Sequence, residues 1–178
     1  MEVYEAVRTV LAVRDFQTRP VPDGLVNRIV EAARLTGSST NGQPWHFIVV
    51  KERNTLRQLG SLVSSGSYNA QSAFAIVVAI DRSSQFGVSD ASRAIQSMVL
   101  TAWSEGVGSN WTGWVGMNRV AALLDVPDSM DVIAENIMLP PLGPGDLVAI
   151  PSAGAYTSTY ASQFNGFELP ETVIIDGD

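Results

Sequence analysis

The chain has no cysteine, a single histidine (His46) and a single lysine (Lys51). The first absence removes disulfide staples, thiolate nucleophiles and zinc–thiolate sites, and leaves the redox compartment open. One histidine cannot build a multi-histidine metal centre. No Gly-x-Gly-x-x-Gly or Walker-type loop occurs, so the dinucleotide-binding and P-loop fingerprints are both missing. There is no N-terminal apolar signal run and no span of about 18 or more apolar residues, and the chain therefore reads as cytoplasmic, with no membrane partner. A formal charge of −7 argues against a nucleic-acid partner, which calls for a basic face. The length of 178 residues allows one domain with a substantial core, and no internal repeat or low-complexity segment is visible.

Basic residues are missing from one part of the chain altogether. Residues 1–119 hold all 11 Lys and Arg with 9 acidic groups, a net of +2, whereas residues 120–178 hold 9 acidic groups and no base, a net of −9. Such a tail is often solvated and disordered. This one is too apolar for that. Leu147-Val148-Ala149-Ile150 and Thr172-Val173-Ile174-Ile175 are short strand-like runs, separated by Gly, Pro, Ser and Asn.

What the sequence does contain is concentrated between residues 37 and 47. Gly37-Ser38-Ser39-Thr40-Asn41-Gly42-Gln43-Pro44-Trp45-His46-Phe47 packs hydroxyl and amide side chains into a loop. Upstream, Leu25, Val26, Ile29, Val30 and Ala33 recur at helical spacing behind a Pro22-Asp23 start signal; downstream, Phe47-Ile48-Val49-Val50 suits a covered strand. The loop is therefore predicted at a helix-to-strand junction. Small Ser and Gly residues admit a planar ligand close to the backbone, while Asn41 and Gln43 each offer a donor and an acceptor to a heterocycle edge. A polar loop that hydrogen-bonds itself is the other open reading. His46, at the start of the strand, reads as a structural or surface histidine.

One further segment bears on assembly. A helix is expected from Ser89 to Gly106, with Ser89-Asp90 offering N-cap chemistry and Ala91, Ala94, Ile95, Met98, Val99 and Ala102 forming an apolar stripe wider than a surface helix needs. Such a helix is either a central core helix or an assembly surface. Trp103, Trp111 and Trp114 could stack on a ligand ring or serve as core or dimer contacts.

The run Ser-Ser-Thr-Asn-Gly-Gln-Pro-Trp-His-Phe-Ile-Val-Val resembles the signature of the nitroreductase family, and the likeness extends to Pro20-Val21-Pro22, Phe74–Asp81, Asp90–Met98 and Glu105–Gly113. It covers roughly residues 1–127. The resemblance implies an α+β fold with a central sheet flanked by helices, a homodimer whose interface completes each pocket, and FMN lying against the loop. It further implies an oxidoreductase that takes hydride from NAD(P)H and delivers it to a nitroaromatic, a quinone or a related small-molecule electron acceptor. By that likeness Ser38, Ser39 and Asn41 hold the ring and ribityl chain, Arg14 meets the phosphate, and the Thr112 and Gly113 amides face the flavin N5 and O4 edge. No catalytic side chain and no metal ligand are implied.

The chain departs from the pattern at the phosphate. Where the family carries Arg-x-Ser-x-Arg/Lys, this chain has Val10-Leu11-Ala12-Val13-Arg14. Only the last cation survives, and the tail offers no other. Charge-assisted bonds of about 1.5–3 kcal/mol each are missing, so weakened FMN binding or a chain without flavin turnover is the alternative expectation.

The tail has a likeness of its own. Asp128-Ser129-Met130-Asp131, Leu139–Asp146, Ala153-Gly154-Ala155-Tyr156-Thr157 and Phe164-Asn165-Gly166-Phe167 resemble the C-terminal segment of PLP-dependent ornithine and diaminopimelate decarboxylases. Residues 128–178 are thus expected to be an acidic β-type tail, not an independent domain, appended to a flavin-binding domain of residues 1–127. Decarboxylase activity is not expected. PLP needs a Schiff-base lysine, Lys51 lies outside any such context, and Pro127 stands where that family has its cysteine.

Overall fold

The computed structural model describes residues 1–132 apart from 18, 65, 66 and 114. The element order is α1 (Val3–Thr9), α2 (Asp23–Arg34), β1 (Trp45–Val50), α3 (Arg53–Leu62), β2 (Ala75–Asp81), α4 (Gly87–Ser104), α5 (Met117–Leu123) and β3 (Met130–Val132), with short 3-10 turns at Ser39–Asn41 and Ser67–Gln71. Helices around one sheet make this the α+β fold the sequence predicts. The strand-like runs of the tail lie outside the described residues.

The sheet is antiparallel in the order β1-β2-β3. Trp45 pairs with Ile80 and Val50 with Ala75 across β1 and β2, and Ala79 pairs with Val132 across β2 and β3. Successive strand side chains point to opposite faces, and both faces of β2 are covered. Val78 and Ile80 pack with Trp45, Ile29, Ala33 and α4, whereas Ala79 packs with Val50, Leu56, Leu59, Val120 and Val132. This two-sided burial is why β1 and β2 read as near-continuous apolar runs. The strand also begins two residues before the Phe47 start of the apolar run, because Trp45 is buried and joins the core while His46 is exposed.

α4 is the central wall. Ala91, Ala94, Met98 and Ala102 are buried, and the small alanines let α2 and the sheet approach closely. The expected boundaries shift by two residues, from Ser89–Gly106 to Gly87–Ser104. The expected N-cap is also corrected. The cap position is Phe86, without a side-chain cap bond, and Asp90 sits inside the first turn with its carboxylate turned to another segment. α3 has the side-chain cap instead: Glu52 accepts from the Asn54 and Thr55 amides at 2.8 and 2.5 Å.

Among the aromatic residues, Trp103 donates from Nε1 to Thr9 Oγ1 at 2.9 Å and so anchors α1 to α4. Trp111 is exposed and Trp114 lies outside the described residues. Gly116, at φ 94°, begins α5 where a Cβ would stand 2.1 Å from the Leu62 carbonyl oxygen, so only glycine fits.

Candidate functional site

The residues singled out in the sequence fall in two places on the fold. Ser38, Ser39 and Asn41 form the turn between α2 and β1. One of the two readings left open by the sequence is met directly. The turn hydrogen-bonds itself through the Asn41 amide to the Ser38 carbonyl (3.1 Å), the Gly42 amide to the Ser39 carbonyl (3.0 Å) and the Gln43 amide to Ser38 Oγ (2.9 Å). It also presents groups outward. Ser38 Oγ, although it accepts from Gln43, keeps a proton to donate, and the exposed Asn41 keeps its Nδ2 donors while its Oδ1 accepts from Gln43 Nε2 at 3.0 Å. Thr40, Asn41 and Gln43 have φ of 54°, 56° and 47°. Three left-handed non-glycine residues within four positions are costly, at about 1–3 kcal/mol each, and such strain concentrates at ligand clamps and active sites.

Ser39 is engaged differently. Its amide donates to Asp90 Oδ2 and Oδ1 at 3.1 and 3.2 Å, and its hydroxyl to Oδ1 at 3.0 Å. Asp90 is 1% exposed and is also paired with the Arg93 guanidinium. Residue pattern alone carries no sign of this pairing, because an acidic residue in a first helical turn is ordinarily explained by the helix dipole.

Thr112 lies on the other side of α4. Asp90, Arg93 and Ser97, spaced i, i+3 and i+7, face the turn; Ser97 Oγ is 2.7 Å from Thr36 Oγ1. Ile95, Met98 and Val99 face away from it and line a cavity of about 210 Å³ with Phe16, Asn69 and Thr112. That volume is below the roughly 300–1,000 Å³ of a typical small-molecule pocket, so it accommodates part of a large ligand. Thr112 Oγ1 accepts from Asn69 Nδ2 at 3.3 Å, the Asn110 amide donates to the Tyr68 hydroxyl, and Phe16 stands 6.3 Å from Tyr68, ring centre to ring centre. Asn69, Tyr68 and Asn110 were not singled out in the sequence. Tyr68 and Asn69 are neighbours in the chain, Asn110 and Thr112 lie 42 and 43 residues further on, and only the fold joins the two pairs. Gly113 is buried with φ 148°, a conformation that favours glycine.

Arg14 belongs to this second place. The Val13 amide donates to the Ser109 carbonyl at 2.9 Å and Ala12 bridges to Ser109, which sets the 12–14 segment beside residues 108–110. Gly108 permits the approach: a Cβ there would stand 2.5 Å from Val13 Cγ2. Arg14 is exposed and makes no hydrogen bond or ion pair among the described residues. Val10 is 5% exposed and part of the interior.

Asp128 is exposed, Asp131 pairs with Arg82 at 2.6 Å, Lys51 pairs with Asp23 at 2.6 Å, and Tyr156 lies outside the described residues. No group of three or more potential metal ligands occurs among the described residues, and no described helix is long and apolar enough to cross a membrane.

The model of the nitroreductase family matches residues 8–79 and 68–139. A protein of Methanothermobacter thermautotrophicus, provisionally named NADH dehydrogenase/NAD(P)H nitroreductase, is 38% identical over 117 residues, 64% of this chain and 61% of its own length. One of Archaeoglobus fulgidus with the same name is 31% identical over 142 residues, 75% of this chain and 82% of its own. The chain thus spans about three fifths of the first relative. Among solved structures, a provisionally named NADH dehydrogenase/NAD(P)H nitroreductase of Parabacteroides distasonis superposes with a TM-score of 0.71 at 28% identity, over 74% of this chain and 82% of that one. An FMN-dependent nitroreductase of Clostridium difficile shares the fold with a TM-score of 0.69 at 24% identity, over 71% and 80%. The C-terminal segment is similar to ornithine decarboxylase 2 of Drosophila melanogaster, 53% identical over 45 residues, 25% of this chain and 11% of that enzyme.

Proposed function

The chain belongs to the nitroreductase family, and from that premise we propose that it is an FMN-dependent NAD(P)H oxidoreductase acting on nitroaromatic, quinone or related acceptors. The observation that carries the reading is the Ser38–Gln43 turn, a strained segment with outward donors, pinned to the central helix and bearing the family's signature residues. FMN, when bound, supplies the hydride chemistry. The chain supplies recognition. Ser38 and Asn41 donate to the polar edge and ribityl hydroxyls, Arg14 offers a guanidinium to the phosphate, and Thr112 and Gly113 border the ring. The donor set fits a flavin at the ring and sugar and only thinly at the phosphate.

The site is shared between two subunits in this reading. α4 stands between the Ser38–Gln43 turn and the cavity beside Thr112, so one flavin cannot use both within a single chain. A two-fold pairing lets the turn of one subunit meet the Arg14 and Thr112 side of the other. Apolar residues left exposed in the single chain support it: Leu11 is 49% exposed, Leu35 68% and Val88 46%. Residues 1–127 would form this flavin-binding unit, with 128–178 as an appended tail.

Purified protein loaded with FMN should oxidise NAD(P)H in the presence of a nitroaromatic or quinone acceptor, and the oxidation should depend on FMN. Absence of both flavin binding and turnover would support a second reading, a chain without flavin turnover, which the apolar Val10 and Ala12 at the phosphate end favour.

A further inference from the structure

We propose that Asp90 is a positioning residue for the cofactor: its buried carboxylate, bridging Arg93 to Ser39, holds the Ser38–Gln43 turn so that Ser38 and Asn41 present their donors. The proposal rests on the flavin reading above, and deepens it by separating Ser39, which pins the turn, from Ser38 and Asn41, which touch the ligand.

Three observations converge. The first is the placement of the charge. Asp90 is 1% exposed, and desolvating a carboxylate is costly unless charge-assisted bonds satisfy it. Here the Ser39 amide, the Ser39 hydroxyl and the Arg93 guanidinium all donate to it. A core position chosen for stability alone is served as well by an apolar residue.

The second is what the turn lacks. Its internal bonds, from the Asn41, Gly42 and Gln43 amides back to Ser38 and Ser39, fix its shape and not its place on the fold. Three residues with φ between 47° and 56° persist only where surroundings over-determine them. Among the described residues, the hydrogen bonds from positions 38–43 to another helix or strand run to Asp90 and Arg93.

The third is the rigidity of the anchor. Asp90 is followed on α4 by Ala91 and Ala94, both 0% exposed, and by Met98 at 5%. The carboxylate therefore sits on a backbone whose position is set by the core, while Thr36 and Ser97 tie the end of α2 to the same stripe of α4. A site held by side chains locked on a rigid element keeps its geometry to a fraction of an ångström.

The test uses Asp90→Asn, which preserves shape and removes the charge, and Ser39→Ala, which removes only the hydroxyl and guards against a folding failure of the first. In the flavin-free protein, amide hydrogen exchange at Ser39, Asn41 and Gly42 should quicken about tenfold or more in Asp90→Asn and to a lesser degree in Ser39→Ala, while α4 amides from Ala94 to Ala102 change by less than about twofold. FMN affinity, read by flavin fluorescence, should fall about tenfold in Asp90→Asn. That loss should disappear when Ser38 and Asn41 are already alanine, and persist in full when Arg14 is glutamine, because only the first pair shares the turn. Equal losses in both backgrounds, or unchanged exchange in the turn, would overturn the proposal. A wild-type protein that binds no FMN would overturn the flavin reading itself, and the exchange measurement would still decide whether Asp90 holds the turn.

Discussion

The Ser38–Gln43 turn and the Val10–Arg14 segment make an instructive pair. The first keeps a full set of hydroxyl and amide donors and is fastened by a buried carboxylate. The second is positioned through Val13, Ser109 and the close approach at Gly108, and carries one exposed cation, Arg14, beside a buried Val10. On the proposed flavin reading, the difference separates two kinds of recognition: neutral groups that would read a ring and sugar, worth about 0.5–1.5 kcal/mol each, and cations that would read a phosphate, worth about 1.5–3 kcal/mol each. This chain offers more of the first than of the second.

The contrast can be broken by removing the neutral end. Replacing Ser38 and Asn41 together by alanine should weaken FMN and riboflavin alike by about 5- to 150-fold, since two neutral bonds are lost whichever flavin is bound. Equal affinity in titrations of the double variant and the wild type would show that the turn does not touch the ligand. Arg14→Gln attacks the other end and should be selective: FMN weakens about tenfold or more, and riboflavin, which has no phosphate, is unaffected. If both flavins weaken equally, Arg14 serves the fold and not the phosphate.

Ala12→Ser restores a neutral phosphate donor at a half-buried position and should tighten FMN about two- to tenfold, leaving riboflavin unchanged. Restoring Arg at Val10 is a harsher change, because that side chain is 5% exposed and belongs to the interior. The smallest effect on binding is expected remote from both ends. Hydrogen bonds from the Asn54 and Thr55 amides, and then from the Thr55 hydroxyl, hold the Glu52 carboxyl below its ordinary value. A depressed carboxyl stabilises the fold fully above its unfolded value, and the contribution is lost as pH falls through the depressed folded value. Glu52→Gln should therefore lower Tm at neutral pH, flatten the decline of Tm on acidification through the glutamate range, and leave flavin affinity unchanged.

Local physics explains which parts of this were readable from the residues. Pro22-Asp23 and the 3.6-residue period of Leu25 to Ala33 mark α2, and the β-branched run after Phe47 marks β1, because both signals lie within a dozen residues. The turn was legible as a polar loop at a helix-to-strand junction for the same reason: its residues are contiguous. Asp90 was not. Its first-turn position on α4 suggests capping, and its actual partner is Ser39, 51 residues away. Nor could residue patterns show that Val10 is interior, or that Asn69 and Thr112 meet across 43 residues. In each case the deciding contact is long-range. The division of the candidate residues between two faces of α4 belongs to the same class, since helical spacing alone does not say which neighbours cover which face.

The most direct test of the account is a fluorescence titration of flavin-free protein with FMN, with the assembly state followed by sedimentation in the same samples. Saturable quenching at one flavin per chain, in a species of two chains, is the result predicted by a pocket shared across the interface. No saturable binding at any FMN concentration, with the protein folded, would contradict it and show that loss of the phosphate ligands outweighed the donors of the turn.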